Sequence, residues 1–276
     1  MADSAPPVLI EGLTKWLGRG VPALDGLDLV VQAGQIVGLA GPNGAGKSVT
    51  MKILLGLVRP SSGRVELFGE PARPGARALA RVGALVDGPG FVPHLSGIEN
   101  LRLSARMAGA AVSKGDIERA VEIAGLGEAL ERPFVTYSHG MRYRLGLAQA
   151  LLGEPELLLL DEPTTGLDPA HVVEIREAIT AASARGATVL FSSHQLAEIE
   201  RVCTHAAVMR GGRLIAFDSI AGLRGAHASL DAAYLDLVGG EPSPENGGPS
   251  SANRTPAPPD GSQPGGSIPS PEQSAP

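Results

Sequence analysis

The segment Gly41-Pro42-Asn43-Gly44-Ala45-Gly46-Lys47-Ser48 has the residue types and spacing to wrap a chain of phosphates. Its glycines let the backbone come close, so that successive N–H groups and the N-terminus of a following helix face negative charge. Lys47 is then placed to bridge the β- and γ-phosphates of ATP, and the Ser48 hydroxyl to ligate Mg²⁺. The surroundings are those such a loop requires: an apolar strand precedes it, and a helical pattern opens at Val49, which completes the cradle, and runs over 49–57. By chance alone, a chain of this length matches the four specified positions roughly once in a hundred cases.

A second group of residues points to the same ligand. Leu157-Leu158-Leu159-Leu160-Asp161-Glu162 is a buried strand ending in two carboxylates. Beside a phosphate loop, Asp161 has the role of Mg²⁺ ligand, and Glu162 is free to orient an attacking water. A base aligned on that water contributes typically about 10²–10⁴-fold, which makes Glu162 the candidate catalytic carboxylate. Taken in isolation, a strand followed by Asp-Glu-Pro reads equally well as a plain turn. The phosphate loop decides between the two.

These groups need a parallel sheet with crossover helices to hold them. Short apolar segments at 34–40, 157–160 and 188–192 each lead into a turn and then a helical pattern, so the fold class is α/β with a P-loop core. Segments 8–13 and 23–31, joined by a loop containing Gly-Arg-Gly, and 64–68, after Ser61-Ser62-Gly63, predict an antiparallel β flank. Over about 96–150 the pattern changes to an α-helical insert. Ser96 with Glu99 forms a capping box, Ser113 offers a second cap, and alanine and leucine follow at helical spacing. Asp168-Pro169 starts a further helix with an N-cap and a proline at its first position, and Arg185-Gly186 ends it. The folded domain is expected over 1–238. Residues 239–276 are rich in Pro, Gly and Ser and nearly free of aliphatics, too little to offset an ordering cost of about 1–2 kcal/mol per residue, and a disordered tail is expected there.

Composition narrows the classes of function. A hydrophobic content of 43% supports a sizeable core, and a formal net charge of −6 argues against a broad nucleic-acid-binding surface. Cys203 is the single cysteine, and Met1-Ala2-Asp3-Ser4 has neither a basic nor an apolar leader pattern; both predict a reducing cytoplasm. No stretch approaches the roughly 18–20 apolar residues needed to span a bilayer, so a pore would have to come from another chain. One phosphate loop excludes a tandem two-ATPase chain. Cys203 reads as structural, and His94, His171, His205 and His227 as ordinary histidines without metal-ligand spacing.

The sequence resembles the ABC ATPase family, because Tyr137-Ser138-His139-Gly140-Met141 sits upstream of the Asp-Glu strand, where that family carries its signature helix. The resemblance covers about 8–238. It implies that Gly166-Leu167-Asp168 is the D-loop and that His194, after Ser192-Ser193, is a switch histidine contacting the γ-phosphate. Ser138 can cap the helix that follows and Gly140 permits close backbone approach, offering a helix N-terminus to phosphate. In the family that phosphate belongs to the opposite subunit, which implies a homodimer or a pair with a sister ATPase.

Three departures from the family pattern stand out. The usual signature begins Leu-Ser-Gly-Gly-Gln, and the variant here is similar to the branch of bacterial ATPases that drive drug-resistance or antibiotic-immunity exporters. Arg142 and Arg144 within it read as solvated helix charges. Asp87 stands where the family has its Q-loop glutamine, a position implied to meet Mg²⁺ or water. At the adenine-stacking position a gap-free reading puts Leu17, with Trp16 one residue early; Trp16 either stacks on the base or packs locally. The expected function is an ABC-type ATPase, peripheral on the inner face of the cell membrane, energising export of a drug, antibiotic or lipid-like substrate through a membrane-spanning permease subunit. The alternative is a soluble ABC ATPase acting on ribosomes or nucleic acid, against which stand the acidic charge and the single ATPase domain.

Overall fold

Hydrophobic alternation decides which strands are covered on one face and which on both. In the computed structural model, which describes residues 5–18, 20–108 and 112–239, β1 (Val8–Lys15) and β2 (Leu24–Val31) bury alternate side chains and expose those between. They join β4 (Ser62–Leu67) and β5 (Glu70–Pro71) in an antiparallel sheet of order β2-β1-β4-β5. By contrast β3 (Ile36–Ala40), β7 (Leu157–Asp161) and β8 (Thr188–Ser193) are nearly continuous buried runs, which suit a parallel sheet covered on both faces. With β6 (Val82–Leu85) and β9 (His205–Arg210) they form the parallel series β9-β3-β8-β7-β6, and β10 (Arg213–Ser219) adds antiparallel to β9. The tail expected over 239–276 lies, beyond its first residue, outside the described residues.

Residue parity along these strands divides the interior in two. Val37, Leu39, Leu157, Leu159 and Leu190 face the antiparallel sheet and α1 (Lys47–Leu54), where Met51, Ile53 and Leu54 are fully buried. Ile36, Leu158, Leu160, Val189 and Phe191 face the other way, onto Ile175 and Ile179 of α5 (Pro169–Ala184), Leu196 and Ile199 of α6 (Leu196–Val202), and Leu230 of α8 (Leu230–Gly239), which follows the short α7 (Ile220–Arg224). Cys203, at the end of α6, packs so closely on β3 that a Cβ at Gly38 would lie 2.9 Å from its sulfur, and burial pushes its thiol well above the ordinary range.

The segment 96–150 holds α2 (Gly97–Ala108), α3 (Lys114–Ala124) and α4 (His139–Ala150) around a third apolar cluster that includes Leu101, Phe134 and Leu145. Both predicted caps form. The Ser96 amide donates to Glu99 Oε2 at 2.8 Å while the Glu99 amide donates to Ser96 Oγ at 3.3 Å, and Ser113 makes the same reciprocal pair with Asp116. Arg142 and Arg144 correct the reading of solvated charges. Arg142 donates from Nε to Tyr137 O at 3.1 Å and from Nη2 to Val135 O at 3.2 Å. Arg144, 18% exposed, donates to Gly125 O at 3.4 Å and lies 3.6 Å from Glu174 Oε2. Carbonyls left free by the irregular chain before α4, and by the end of α3, draw both guanidinium groups inward.

Glycine makes the seam between this helical segment and the parallel sheet possible. A Cβ at Gly83 of β6 would sit 1.8 Å from Ala150 O, and one at Gly146 of α4 would sit 2.8 Å from Leu85 Cδ1. Gly83→Ala is therefore expected to push the C-terminal turn of α4 off β6 and to lower stability by about 1–3 kcal/mol, the usual scale of overpacking. Urea denaturation of the two proteins measures it, and an unchanged midpoint would show that the seam yields freely.

Candidate nucleotide-binding and hydrolysis site

Parallel strands bring their C-terminal ends to one edge, and the chemistry collects there. β3 ends at Ala40 and runs into the phosphate loop; β7 ends at Asp161 with Glu162 next; β8 ends at Ser193 with His194 next; β6 ends two residues before Asp87. Gly46, with φ +102°, turns the loop into α1, and a Cβ there would lie 2.8 Å from Ala23 O. Gly41 is held as closely, a Cβ reaching 2.3 Å from Met209 O. Gly212, in the two-residue turn between β9 and β10, braces the loop further by donating its amide to Ala45 O at 3.2 Å.

Lys47 is 6% exposed, and its ammonium donates to Gly41 O at 2.7 Å and Pro42 O at 3.2 Å, arching back over the loop. The same nitrogen lies 3.5 Å from Glu162 Oε1. Beside it is a cleft of about 250 Å³, lined by residues 43–49 with Leu17, Ala23 and Glu162.

One hydroxyl joins the Asp161 carboxylate to the Glu162 backbone. Ser192 Oγ donates to Asp161 Oδ1 at 2.6 Å and accepts from the Glu162 amide at 2.9 Å, and Ser48 Oγ donates to the same Asp161 oxygen at 3.0 Å. Strand register is the cause, since Asp161 and Ser192 are paired across β7 and β8. Ser192 carries no motif of its own in the sequence; its position opposite Asp161 only appears once the strands are aligned. A hydroxyl and a carboxylate converging within hydrogen-bond reach are hard oxygen donors of the kind Mg²⁺ takes when most of its shell is water and phosphate. Among the described residues no cluster of three or more His, Cys, Asp or Glu offers an all-protein cage.

Glu162 adopts φ +48°, unusual for a residue with a side chain, and its carboxylate is held at Oε2. His194 Nδ1 lies 2.8 Å from Oε2, and Thr165 Oγ1 donates to the same oxygen at 2.9 Å. An ionised carboxylate only accepts, so Nδ1 carries the hydrogen of this contact. Burial raises the Glu162 carboxyl, but the hydrogen bonds from His194 and Thr165 and the charges of His194 and Lys47 outweigh it, leaving the group below the usual carboxylate range.

The remaining predicted residues are distributed around this edge. Trp16 does not line the cleft. It is 46% exposed, with its amide donating to Ser61 Oγ at 3.1 Å, and Leu17 lines the cleft in its place. The Asp87 carboxylate, on a residue with φ +60°, is paired with Lys52 of α1 at 2.7 Å, and no hydrogen bond joins it to Ser48 or Asp161. Ser138 caps α4, accepting from the Met141 amide at 3.3 Å, and Gly140 lies against Leu167 and His171. Asp168 caps α5, accepting from the Ala170 and His171 amides at 3.1 Å each. Neither Ser138 nor Gly140 lines the cleft beside Lys47.

Comparison with known proteins gives a consistent answer. Residues 24–165 match the family model described as ABC transporter. The chain is 42% identical over 207 residues to a bacitracin transport ATP-binding protein of Enterococcus faecalis, covering 74% of this chain and 67% of that one. It is 38% identical over 215 residues to a fluoroquinolones export ATP-binding protein of Mycobacterium tuberculosis, covering 77% and 70%. A solved structure of the ATP binding subunit of an ABC transporter matches with TM-score 0.76 at 30% identity, covering 83% of this chain and 98% of that one.

Two outcomes follow from the site's hydrogen bonds. Ser192→Ala strips Asp161 of a donor and the Glu162 amide of its acceptor. Nucleotide hydrolysis should fall roughly 10–100-fold with a higher Mg²⁺ concentration at half-maximal rate, which a Mg²⁺ titration of turnover reads directly. In His194→Ala, burial of Glu162 meets less opposition, so its carboxylate should titrate at higher pH than in the parent protein, as followed by carbon-detected NMR. Because the native group is depressed, its stabilising contribution is complete above its unfolded value and is lost as pH falls through the lower folded value. That acid window should narrow in the variant.

Proposed function

The chain belongs to the ABC transporter family as an ATP-binding subunit that hydrolyses ATP to drive transport, and from that premise we propose that it powers export of an antibiotic, a drug or a lipid-like molecule through a separate membrane-spanning subunit. Support for the cargo class comes from the relatives named for bacitracin transport and fluoroquinolone export. Support for the chemistry comes from one observation: Lys47, Asp161, Glu162 and His194 meet at the sheet edge with Glu162 ionised and bridged between Lys47 and His194.

In this mechanism the backbone amides of the phosphate loop and the Lys47 ammonium bind the β- and γ-phosphates of ATP. Ser48 and Asp161 would hold Mg²⁺, which when bound neutralises phosphate charge. Glu162 accepts a hydrogen from the attacking water and keeps it aligned, and His194 stands beside the γ-phosphate. Leu17 offers an apolar surface to the adenine. Ser138 and Gly140, which stand outside this chain's own cleft at the N-terminus of α4, serve the γ-phosphate of a second subunit, so two copies close head to tail over two nucleotides.

No helix among the described residues is long and apolar enough to cross a membrane, and the pore belongs to the partner in this scheme. The ATPase lies on the cytoplasmic face of the membrane, with no nucleic-acid partner. The membrane subunit docks on the helical segment and the loop over 91–100. On the helical segment, away from that loop, a groove of about 380 Å³ between β6, α2 and the end of α4, with Met107 at its edge 81% exposed, offers part of the surface.

Purified protein with and without its membrane subunit tests the scheme. Glu162→Gln should lower turnover by at least ~100-fold while trapping an ATP-bound dimer on size exclusion, Lys47→Ala should lose ATP binding, and the membrane subunit should stimulate the parent protein. Turnover indifferent to Glu162 would overturn the choice of base, and a chain that no membrane protein binds or stimulates would overturn the transport role.

A further inference from the structure

His139 lies outside the P-loop cleft and is exposed, yet its ring touches both the segment that carries Glu162 and its own helix. His139 Nε2 lies 3.4 Å from Thr165 O, within reach to donate. Its ring stands 4.7 Å, centroid to centroid, from that of Tyr143, one turn along α4. Gly166, with φ +75°, leaves room for it; a Cβ there would meet Nε2 at 3.4 Å. Thr165 in turn donates its hydroxyl to Glu162 Oε2 at 2.9 Å and its amide to Glu162 O at 3.2 Å.

We propose that His139 is a positioning residue for ATP hydrolysis, fixing the Thr165 carbonyl so that the Thr165 hydroxyl stays aimed at the Glu162 carboxylate. The inference rests on Glu162 as the base. Two links of one path meet at Thr165, because its carbonyl and hydroxyl hang from one Cα: an anchor on the carbonyl limits displacement of the Cα that carries the hydroxyl. Glu162 Oε2 has two donors, Thr165 and His194, and the first is the one that leaves His194 free to follow a phosphate. The histidine thus ties the loop at the start of α4 to the catalytic carboxylate of the same chain. Tyr143 backs the imidazole, and its phenol is pushed up by burial and by the nearby charges of Asp161 and Glu162, in keeping with its place beneath that edge.

The test is steady-state ATP hydrolysis by the full-length chain, alone and assembled with its membrane subunit, together with binding of a fluorescent ATP analogue. His139→Ala should lower kcat roughly three- to tenfold, the scale of one neutral hydrogen bond, with KM and nucleotide affinity within about twofold of the parent. His139→Gln, whose side-chain amide donates from a similar position, should restore most of the rate. Thr165→Val should show the same kcat loss, and adding His139→Ala to it should cost nothing more, since both act on one path. Thermal melts confirm that the variants fold, and the glutamine variant carries the test if the alanine variant does not. A parental kcat in His139→Ala, no recovery in His139→Gln, or losses that multiply in the double variant would overturn the inference. Glu162→Gln in the same assay separates the two levels: if it abolishes turnover while His139→Ala does not change it, only the positioning role fails, whereas full turnover in Glu162→Gln removes the base and this role together.

Discussion

A single hydroxyl, that of Ser192, joins the two acidic residues on which hydrolysis depends. It donates to Asp161 and accepts from the Glu162 amide, so the metal-binding carboxylate and the backbone of the base are locked to the same point on β8. That arrangement exists only if β7 and β8 run parallel, side by side and in the register that pairs Asp161 with Ser192. A slip of one residue would send Leu160 to the edge and turn every side chain of β7 to the opposite core. Leucine fills both cores, Leu157 and Leu159 on one side and Leu158 and Leu160 on the other, so it is the polar ends of the run that oppose a slip: it would draw Glu156 or Asp161 into a leucine's buried place. The length of the leucine run between two polar residues is therefore what places a carboxylate to within a hydrogen-bond length.

The phosphate loop depends on contacts of a different kind. Its conformation is imposed by backbone crowding: Gly41 lies against Met209 O, Gly46 against Ala23 O, and Gly212 reaches across to Ala45. Two separate parts of the chain, the approach to β2 and the β9–β10 hairpin, thus meet around a loop that has few side chains with which to pack. The buried ammonium of Lys47, bonded to two loop carbonyls, closes it from inside. A loop so braced presents its amides in fixed directions, which is what recognition of a phosphate by backbone alone demands.

Much of this was legible in the sequence, for physical reasons that also mark the limit. Local chemistry was readable: the phosphate loop, the Asp-Glu pair at the end of a leucine strand, the caps at Ser96, Ser113 and Asp168, and the strands with clear alternation. The β9–β10 hairpin was missed although its two-residue Gly-Gly turn, φ +55° and +81°, is a recognisable signal; flanking arginines and the mixed pattern of β10 concealed the strands. Ser192 and Thr165 were invisible as site residues because their roles arise from pairing across the sheet and from the turn after Glu162. Arg142 and Arg144 were misjudged because helix periodicity says which face a charge is on, and says nothing of carbonyls on a neighbouring irregular segment. Alignment to a family pattern put Leu17 at the adenine position, with Trp16 the aromatic one residue early, and Asp87 at the Q-loop position; Leu17 lines the cleft, and Asp87 meets Lys52.

Helix α4 links the helical segment to the catalytic edge. Leu145 and Ala148 belong to the apolar cluster of that segment, while Leu147 and Ala150 belong to the core beneath the parallel sheet, so one helix is shared by two interiors. Its C-terminal turn is pressed on β6 at Gly83, and its N-terminal residues lie beside the turn that carries Thr165 and Gly166. Arg144 ties its middle to Glu174 of α5. Twelve residues make a rod of about 18 Å, and close-packed interiors transmit displacement instead of absorbing it. A push on the helical segment must then either repack one of the two clusters or move α4 as a unit. Moving it as a unit carries Ser138, His139 and Gly140 with it, which brings the loop offered to a second subunit and the contact that steadies Glu162 under the same mechanical control.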